Sequence, residues 1–177
     1  SEVVTPSLLA DELVSMIPKE DITSTTIFLD IAAVQGEMVC AIYKKYGDLV
    51  RNNIISIPTS SLTFELTRKV YKLLGLPITN ILPIFATDLL KEGNVELIEC
   101  VVNIHPDIVC GVPPFSESTG GGRGDGGSAI YHKYFNFAKD VISPRYIVMM
   151  MQSTWYTGGR GEGLDDFRNY MLSINTL

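Results

Sequence analysis

The residues best able to do chemistry in this chain fall in three short stretches. Asp30-Ile31-Ala32-Ala33-Val34-Gln35-Gly36-Glu37 joins an apolar run to an amphipathic one. A tight turn of small residues lets the backbone approach a bound cofactor, and the start of the following helix favours negative charge. With a single glycine the same residues also suit an ordinary turn between strand and helix. Asp88, in Ala86-Thr87-Asp88-Leu89-Leu90, is placed either to accept hydrogen bonds from an adenine amino group or to cap the next helix. In Asp107-Ile108-Val109-Cys110-Gly111-Val112-Pro113-Pro114-Phe115, two prolines after a buried strand fix a rigid, extended turn with outward carbonyls. Phe115 there offers a flat face to a planar base, or else a ring to the core.

The remaining reactive side chains argue against other chemistries. Cys40, Cys100 and Cys110 are odd in number, sit in apolar stretches and form no C-x-x-C pair, so buried thiols in a reducing compartment are expected. His105 and His132 complete no ligand cluster with them, and no metal site is expected. Against 14 Lys and Arg stand 20 Asp and Glu, a net charge of −6, so the mean field repels a polyanion. Strong nonspecific nucleic-acid binding by the chain alone is therefore not expected unless its few Lys and Arg gather on one face. Apolar runs fall short of the roughly 18–20 residues of a membrane span, and Ser1-Glu2-Val3-Val4 does not read as a signal peptide. The expectation is a soluble, cytoplasmic protein with no membrane partner.

The three stretches need a scaffold, and 177 residues with 46% hydrophobic and 19% charged provide one domain, 1–177, around a single core. No repeat of solenoid period occurs. Thr5 as cap, Pro6 at the first helical position and the spacing of Leu9, Leu13 and Ile17 predict a first helix that Pro18 stops. Residues 26–31 read as a strand, Gly36 opens a helix through Met38, Ile42 and Tyr46, and Gly47 closes it. Residues 53–57 form the next strand, followed by a helix to Gly75 whose inner face is Leu62, Leu66, Val70, Leu73 and Leu74. Residues 80–85 make a weaker strand because of Pro83, 97–104 suit strand or helix equally, and 107–111 read as another buried strand. Six glycines crowd 119–127, which predicts the most mobile internal loop. A helix through Ile130, Tyr134, Phe137 and Val141, the run 146–151 and a last helix near 164–172 complete the order.

Continuous apolar strands alternating with amphipathic helices predict an α/β domain with a mostly parallel sheet, with Phe28, Ile55, Val109 and Val148 in central buried strands. Ligands of such sheets bind beyond the carboxyl ends of the strands. The three stretches lie at those ends.

Residues 104–115 resemble the stretch FDVIVGNPPY of DNA adenine-N6 methyltransferases of restriction-modification systems. Val4-Thr5-Pro6 and its helix are similar to that family's N-terminal cofactor motif. Residues 28–33 resemble its first-strand motif D-P-A-x-G-x-G, and Ala86-Thr87-Asp88-Leu89-Leu90 its segment G-D-F-L. Residues 143–156, with Gly158-Gly159 and Gly163-Leu164-Asp165-Asp166-Phe167-Arg168, resemble PKYxxMIxPSRWF-x-GG-x-GLDEFR, the most specific piece. The resemblance covers nearly the whole chain.

It implies a Rossmann-like S-adenosylmethionine-dependent methyltransferase fold, a three-layer sandwich. Carried over by position, Thr5, Pro6, Asp30, Ala32 and Gly36 would border the methionine part of S-adenosylmethionine, and Asp88 its adenine. Val112, Pro113, Pro114 and Phe115 would form the catalytic turn that holds a flipped adenine, with the Pro113 carbonyl accepting from N6 and Phe115 stacking on the ring. The implied partners are double-stranded DNA, gripped through a target-recognition domain absent from this chain, and a restriction endonuclease domain or subunit.

Three places depart from the family. Val112 stands where the family has asparagine and offers no amide acceptor. Val34 and Gln35 replace small residues, and Ser56-Ile57-Pro58-Thr59 lacks the acid that usually holds ribose hydroxyls. Losing one positioned acceptor costs roughly 2–4 kcal/mol of transition-state stabilisation. Methyl transfer by this chain is therefore expected to be undetectable or very weak, with weakened cofactor binding. The alternatives are a degenerate, non-catalytic methyltransferase-like module that binds DNA or acts as a scaffold, and a methyltransferase acting on RNA, protein or a small molecule.

Overall fold

The computed structural model describes residues 5–116, 128–157 and 163–174. Four strands form one sheet: β1 (Phe28–Ala33), β2 (Ile54–Pro58), β3 (Ile108–Gly111) and β4 (Tyr146–Met149), in the order β2-β1-β3-β4. Every strand pair is parallel. Helices α1 (Ser7–Ser15), α2 (Glu37–Tyr46) and α3 (Ser61–Leu74) supply the first half of the chain, and α4 (Val95–Val102), α5 (Tyr131–Phe137), α6 (Thr154–Thr157) and α7 (Leu164–Ile174) the second.

Side chains on one face of the sheet, among them Phe28, Ile54, Ile108 and Cys110, pack with Ala10, Val14, Val39, Ile42 and Tyr71 of the first three helices. On the other face Leu29, Ile31, Ile57 and Val109 pack with Val101, Tyr134, Phe137 and Ala138. This is the three-layer α/β sandwich expected from uninterrupted apolar strands. A smaller aromatic cluster, Tyr131, Phe135, Leu164 and Phe167, fastens α7 to α5.

Several expectations are corrected. Helix α1 starts at Ser7 with Pro6 as its cap residue and no side-chain cap bond, so Thr5 does not cap it; the Pro6 carbonyl takes the first amides, from Leu9 at 3.0 Å and Ala10 at 3.2 Å. Residues 80–85 do not form a strand: only Ile81 pairs, in a parallel bridge with Ser56, because Pro83 cannot continue the ladder. The ambiguous segment is helical, as α4. Val148 lies on the outer strand β4, half-buried, and Ile55 on β2 is also half-buried, whereas Phe28 and Val109 are fully enclosed. Cys40 and Cys100 are exposed; only Cys110 is buried. The glycine-rich stretch 119–127 lies outside the described residues.

Helix α3 holds the largest surprise. Of the predicted face, Leu62 and Leu73 are 69% and 86% exposed and Leu66, Val70 and Leu74 only half-buried, while Thr63, Thr67 and Tyr71 are buried against the sheet. The two stripes lie on different sides of one helix, and the sheet beneath decides between them. Ser56 on β2 presents a hydroxyl there, which Tyr71 Oη meets at 2.9 Å, while Tyr71 donates to the Ile54 carbonyl at 3.0 Å. A leucine in that position would leave the Ser56 hydroxyl without this partner in the interior, a cost of about 1–3 kcal/mol, while the Ile54 carbonyl would keep Asn80 Nδ2 at 3.1 Å.

Two long-range links tie the first helical segment down. Lys45 of α2 donates to the Val14 and Ile17 carbonyls at the end of α1, at 3.0 and 3.1 Å. Asp21 accepts from Arg145 Nη2 at 2.6 Å and from the Tyr146 hydroxyl at the start of β4. No helix among the described residues is long and apolar enough to cross a membrane.

The reversed face of α3 gives a direct test in denaturant unfolding. Leu62→Gln and Leu73→Gln should each change stability by less than about 0.5 kcal/mol, as exposed positions do. Tyr71→Ala should cost about 3–5 kcal/mol.

Candidate functional site

The sheet reverses its winding between β1 and β3: β2 lies to one side of β1, and β3 and β4 to the other. In such sheets the crevice outside the carboxyl ends of the strands at this reversal is where ligands bind. The residues next to it come from the β1–α2 turn and from the turn that follows β3.

A polar row runs across the sheet just below the crevice. Ser56, Asp30 and Cys110 are in register on β2, β1 and β3, so their side chains share one face. Tyr71 covers Ser56 from α3, and burial pushes its phenol well above the usual range. The Cys110 thiol, raised by burial and by Asp30, donates to the Leu29 carbonyl at 3.6 Å. Asp30 itself is 2% exposed, and its Oδ1 has no hydrogen-bond partner. Burial lifts its carboxyl from the usual 3.8 to about 7; the Ala32 backbone amide pulls the other way, and Glu37 adds a smaller upward push.

Gly111 lies directly against Asp30. It adopts φ +146°, and a side chain there would put its Cβ 3.1 Å from Asp30 Oδ1 and 3.6 Å from the Ala32 nitrogen. The bare face of this glycine is thus turned to the unpartnered oxygen. Glu37 stands beside it at the start of α2: Oε2 accepts from the Gln35 amide at 3.0 Å, and Oε1 is buried without a partner.

The sequence-predicted residues divide. Asp30, Ala32 and Gly36 lie together at the β1–α2 turn, all buried. Gly36, at φ +81°, also serves packing, since a Cβ there would fall 3.1 Å from the Val70 side chain of α3. Thr5 is buried and Pro6 exposed before α1. Asp88 lies in a 3-10 turn on the opposite layer, where Lys91 Nζ holds its carboxylate at 2.7 Å and Asn94 Nδ2 donates to its carbonyl. In the catalytic turn, Val112 is 7% exposed and packs with the α1–α3 layer, Pro113 and Pro114 are buried, and Phe115 is half-buried between two clusters. The turn is held at both ends, by the Met150 amide on the Gly111 carbonyl and the Ile130 amide on the Phe115 carbonyl, each at 3.2 Å.

Sequence reasoning missed Tyr71, and it gave no role of their own to Ser56, Glu37 and Gly111, which lay in stretches it had singled out. The stripe Thr63, Thr67, Tyr71 was available as a signal, but the leucines of the same helix outweighed it. Among the described residues, no group of three or more His, Cys, Asp or Glu is placed to hold a metal ion.

No protein-family model matches the sequence, and no curated protein matches it. The fold is similar to that of the type I restriction-modification system methyltransferase subunit from Streptococcus thermophilus, with a TM-score of 0.63 and 17% identity. The match covers 96% of this chain and 38% of that one. The chain therefore has a methyltransferase fold, α/β with a parallel sheet, and spans little more than a third of the length of the subunit it matches.

The raised carboxyl of Asp30 makes stability depend on pH in a definite direction. Between the unfolded value near 3.8 and the folded value of about 7, the unfolded chain gives up this proton while the folded chain keeps it. Stability from this group is complete at low pH and falls as pH rises to about 7, by up to about 4 kcal/mol. Asp30→Asn should remove that slope and melt higher than the parent at pH above about 7, measured by calorimetry across pH.

Proposed function

We propose that this chain is the methyltransferase module of a DNA adenine-N6 modification enzyme. In this reading it binds S-adenosylmethionine in the β1–β3 crevice and presents the 112–115 turn to an adenine swung out of the duplex. The observation that carries the reading is the unpartnered Oδ1 of Asp30 beside the bare face of Gly111, at the reversal point of the sheet. The likeness to a restriction-modification methyltransferase subunit supports the same context.

The residues present fit the cofactor. Among the groups of S-adenosylmethionine, the sulfonium, the ammonium and the ribose hydroxyls suit Asp30 Oδ1 and Glu37 Oε1, two buried acceptors without partners, while its carboxylate would need backbone amides of the same turn. Thr5, Pro6, Asp30, Ala32 and Gly36 would hold its methionine part, and Asp88, released from Lys91, its adenine. When bound, the cofactor supplies an electrophilic methyl group. The chain's own residues do the rest: the Pro113 carbonyl accepts from the N6 amino group and aligns its lone pair, and Phe115 stacks on the base and keeps water from it. Duplex DNA is gripped through a recognition domain outside this chain, with a restriction endonuclease domain or subunit as partner.

Val112 sets the rate in this reading, since valine cannot accept the second N6 hydrogen bond. Its burial in the α1–α3 layer also favours a second reading, a non-catalytic module that keeps the fold as a DNA-binding or scaffolding piece.

Labelled methyl incorporation into adenine-containing duplexes, in the longest natural version of the protein, separates the two. Val112→Asn should raise the rate by about 100- to 1,000-fold, while costing about 1–3 kcal/mol of stability because an amide replaces a core side chain. Equal rates for both forms would remove Val112 from the catalytic turn. No incorporation by either form would favour the non-catalytic module.

A further inference from the structure

The two leucines that α3 shows to solvent, Leu62 and Leu73, do nothing for the helix that glutamine or lysine would not do as well. Their spacing has another use. Leu62, half-buried Leu66, exposed Lys69 and Leu73 follow one another at intervals of four, three and four residues, the spacing with which one helix lays a seam along another. None of them belongs to the face that carries Thr63, Thr67 and Tyr71 to the sheet. Helix α3 thus has two faces, one spent on the sheet and one unspent.

The charges on the same helix select what fits the second face. Glu65, its one acid, lies in the N-terminal half, and Lys69 and Lys72 lie in the C-terminal half. Glu65 holds Arg68 of its own helix at 2.6 Å, and a carboxylate has room for a further cation. No ion pair among the described residues engages Lys69 or Lys72. The same helix from a second copy, laid antiparallel, sets Leu62 against Leu73 of that copy at both ends of the seam and Leu66 against Lys69 in the middle. Each Glu65 then stands across from Lys69 and Lys72 of the other copy. A parallel copy would set acid against acid and lysine against lysine. The antiparallel one also brings opposite ends of the two helix dipoles together.

We propose that the outer face of α3 docks on the same face of a second copy of this chain, as an antiparallel helix pair about a two-fold axis. Such a contact is self-complementary and closes on itself, so it stops at two copies. One helix of 14 residues makes a short seam, about 21 Å long at 1.5 Å per residue. The interface therefore falls at the small, transient end, below about 1,200 Å², and the dissociation constant at about 10–100 μM. Below about 1 μM the chain is a monomer, the form whose unfolding is insensitive to Leu62→Gln and Leu73→Gln.

Sedimentation equilibrium of the full chain from about 1 to 500 μM tests this, with a monomer–dimer equilibrium expected. Leu62→Glu and Leu73→Glu should each raise the dissociation constant more than about 10-fold, with the circular dichroism of the parent retained because both positions are exposed. Glu65→Lys should weaken association similarly by setting cation against cation. Adding Lys69→Glu and Lys72→Glu to it, which exchanges the signs, should bring the constant back to within about threefold of the parent's. Direction is read by oxidation in a Cys40→Ser, Cys100→Ser background. Leu62→Cys with Leu73→Cys should give an interchain disulfide, and Leu62→Cys alone should not. A chain that stays monomeric at about 500 μM overturns the inference and leaves the stripe to some other occupant. A dimer indifferent to Leu62→Glu and Leu73→Glu, a sign-exchanged variant no better than Glu65→Lys, or a disulfide formed by Leu62→Cys alone overturns it as well.

Discussion

The burial of one carboxyl group organises the upper half of this sheet. Asp30 lies mid-strand on β1 with neighbours in register on both sides, so whatever stands next to it must tolerate a polar group away from water. Ser56 and Cys110 do so with small polar side chains that find backbone or tyrosine partners. Helix α3 follows suit by turning Tyr71 inward to Ser56, and β3 ends in a glycine because a side chain there would press on the carboxyl oxygen. The requirements spread from a single residue into three elements.

That spread explains what could and could not be read from the sequence. The alternation of apolar strands and helices depends on local periodicity, and it carried through to four parallel strands and the helices around them. The site turns were legible for the same reason, since Asp30 to Gly36 and the double proline sit at the junctions between elements. Helix α3 was misread because periodicity alone cannot say which of two stripes faces inward. The leucines at 62, 66 and 73 make the stronger apolar pattern, yet Tyr71 is turned inward to meet Ser56, and Thr63 and Thr67 are buried one and two turns before it. The strand expected at 80–85 failed for a local reason, a proline in the ladder, and shrank to one bridge. Cys40 and Cys100 were misplaced because an apolar neighbourhood in sequence can lie on the outer side of a helix.

The site itself was legible only as a list of positions. Asp30 and Gly36 were chosen for their place after the first strand, but their physical states come from elsewhere in the chain. Val70 occupies the open side of Gly36, and Gly111 stands across from Asp30. Asp88 shows the converse: its position in the chain suggested a ligand, while its carboxylate is engaged by the lysine three residues on. A helical turn of sequence separates that pair, and no reading of the motif alone distinguishes such a local clasp from an acceptor held ready.

The clasp of Asp21 on Arg145 and Tyr146 bears on how the chain comes together in time. Its partners lie 124 and 125 residues from it, so this contact spans about three quarters of the described chain. Closing so long a loop is entropically expensive until the sheet has already brought the ends near. During synthesis, β1, β2 and their helices emerge first and can begin to pair, while Asp21 waits for the last strand to leave the ribosome. Sealing of the outer strand and anchoring of the first segment then become one late event, which waits for β4.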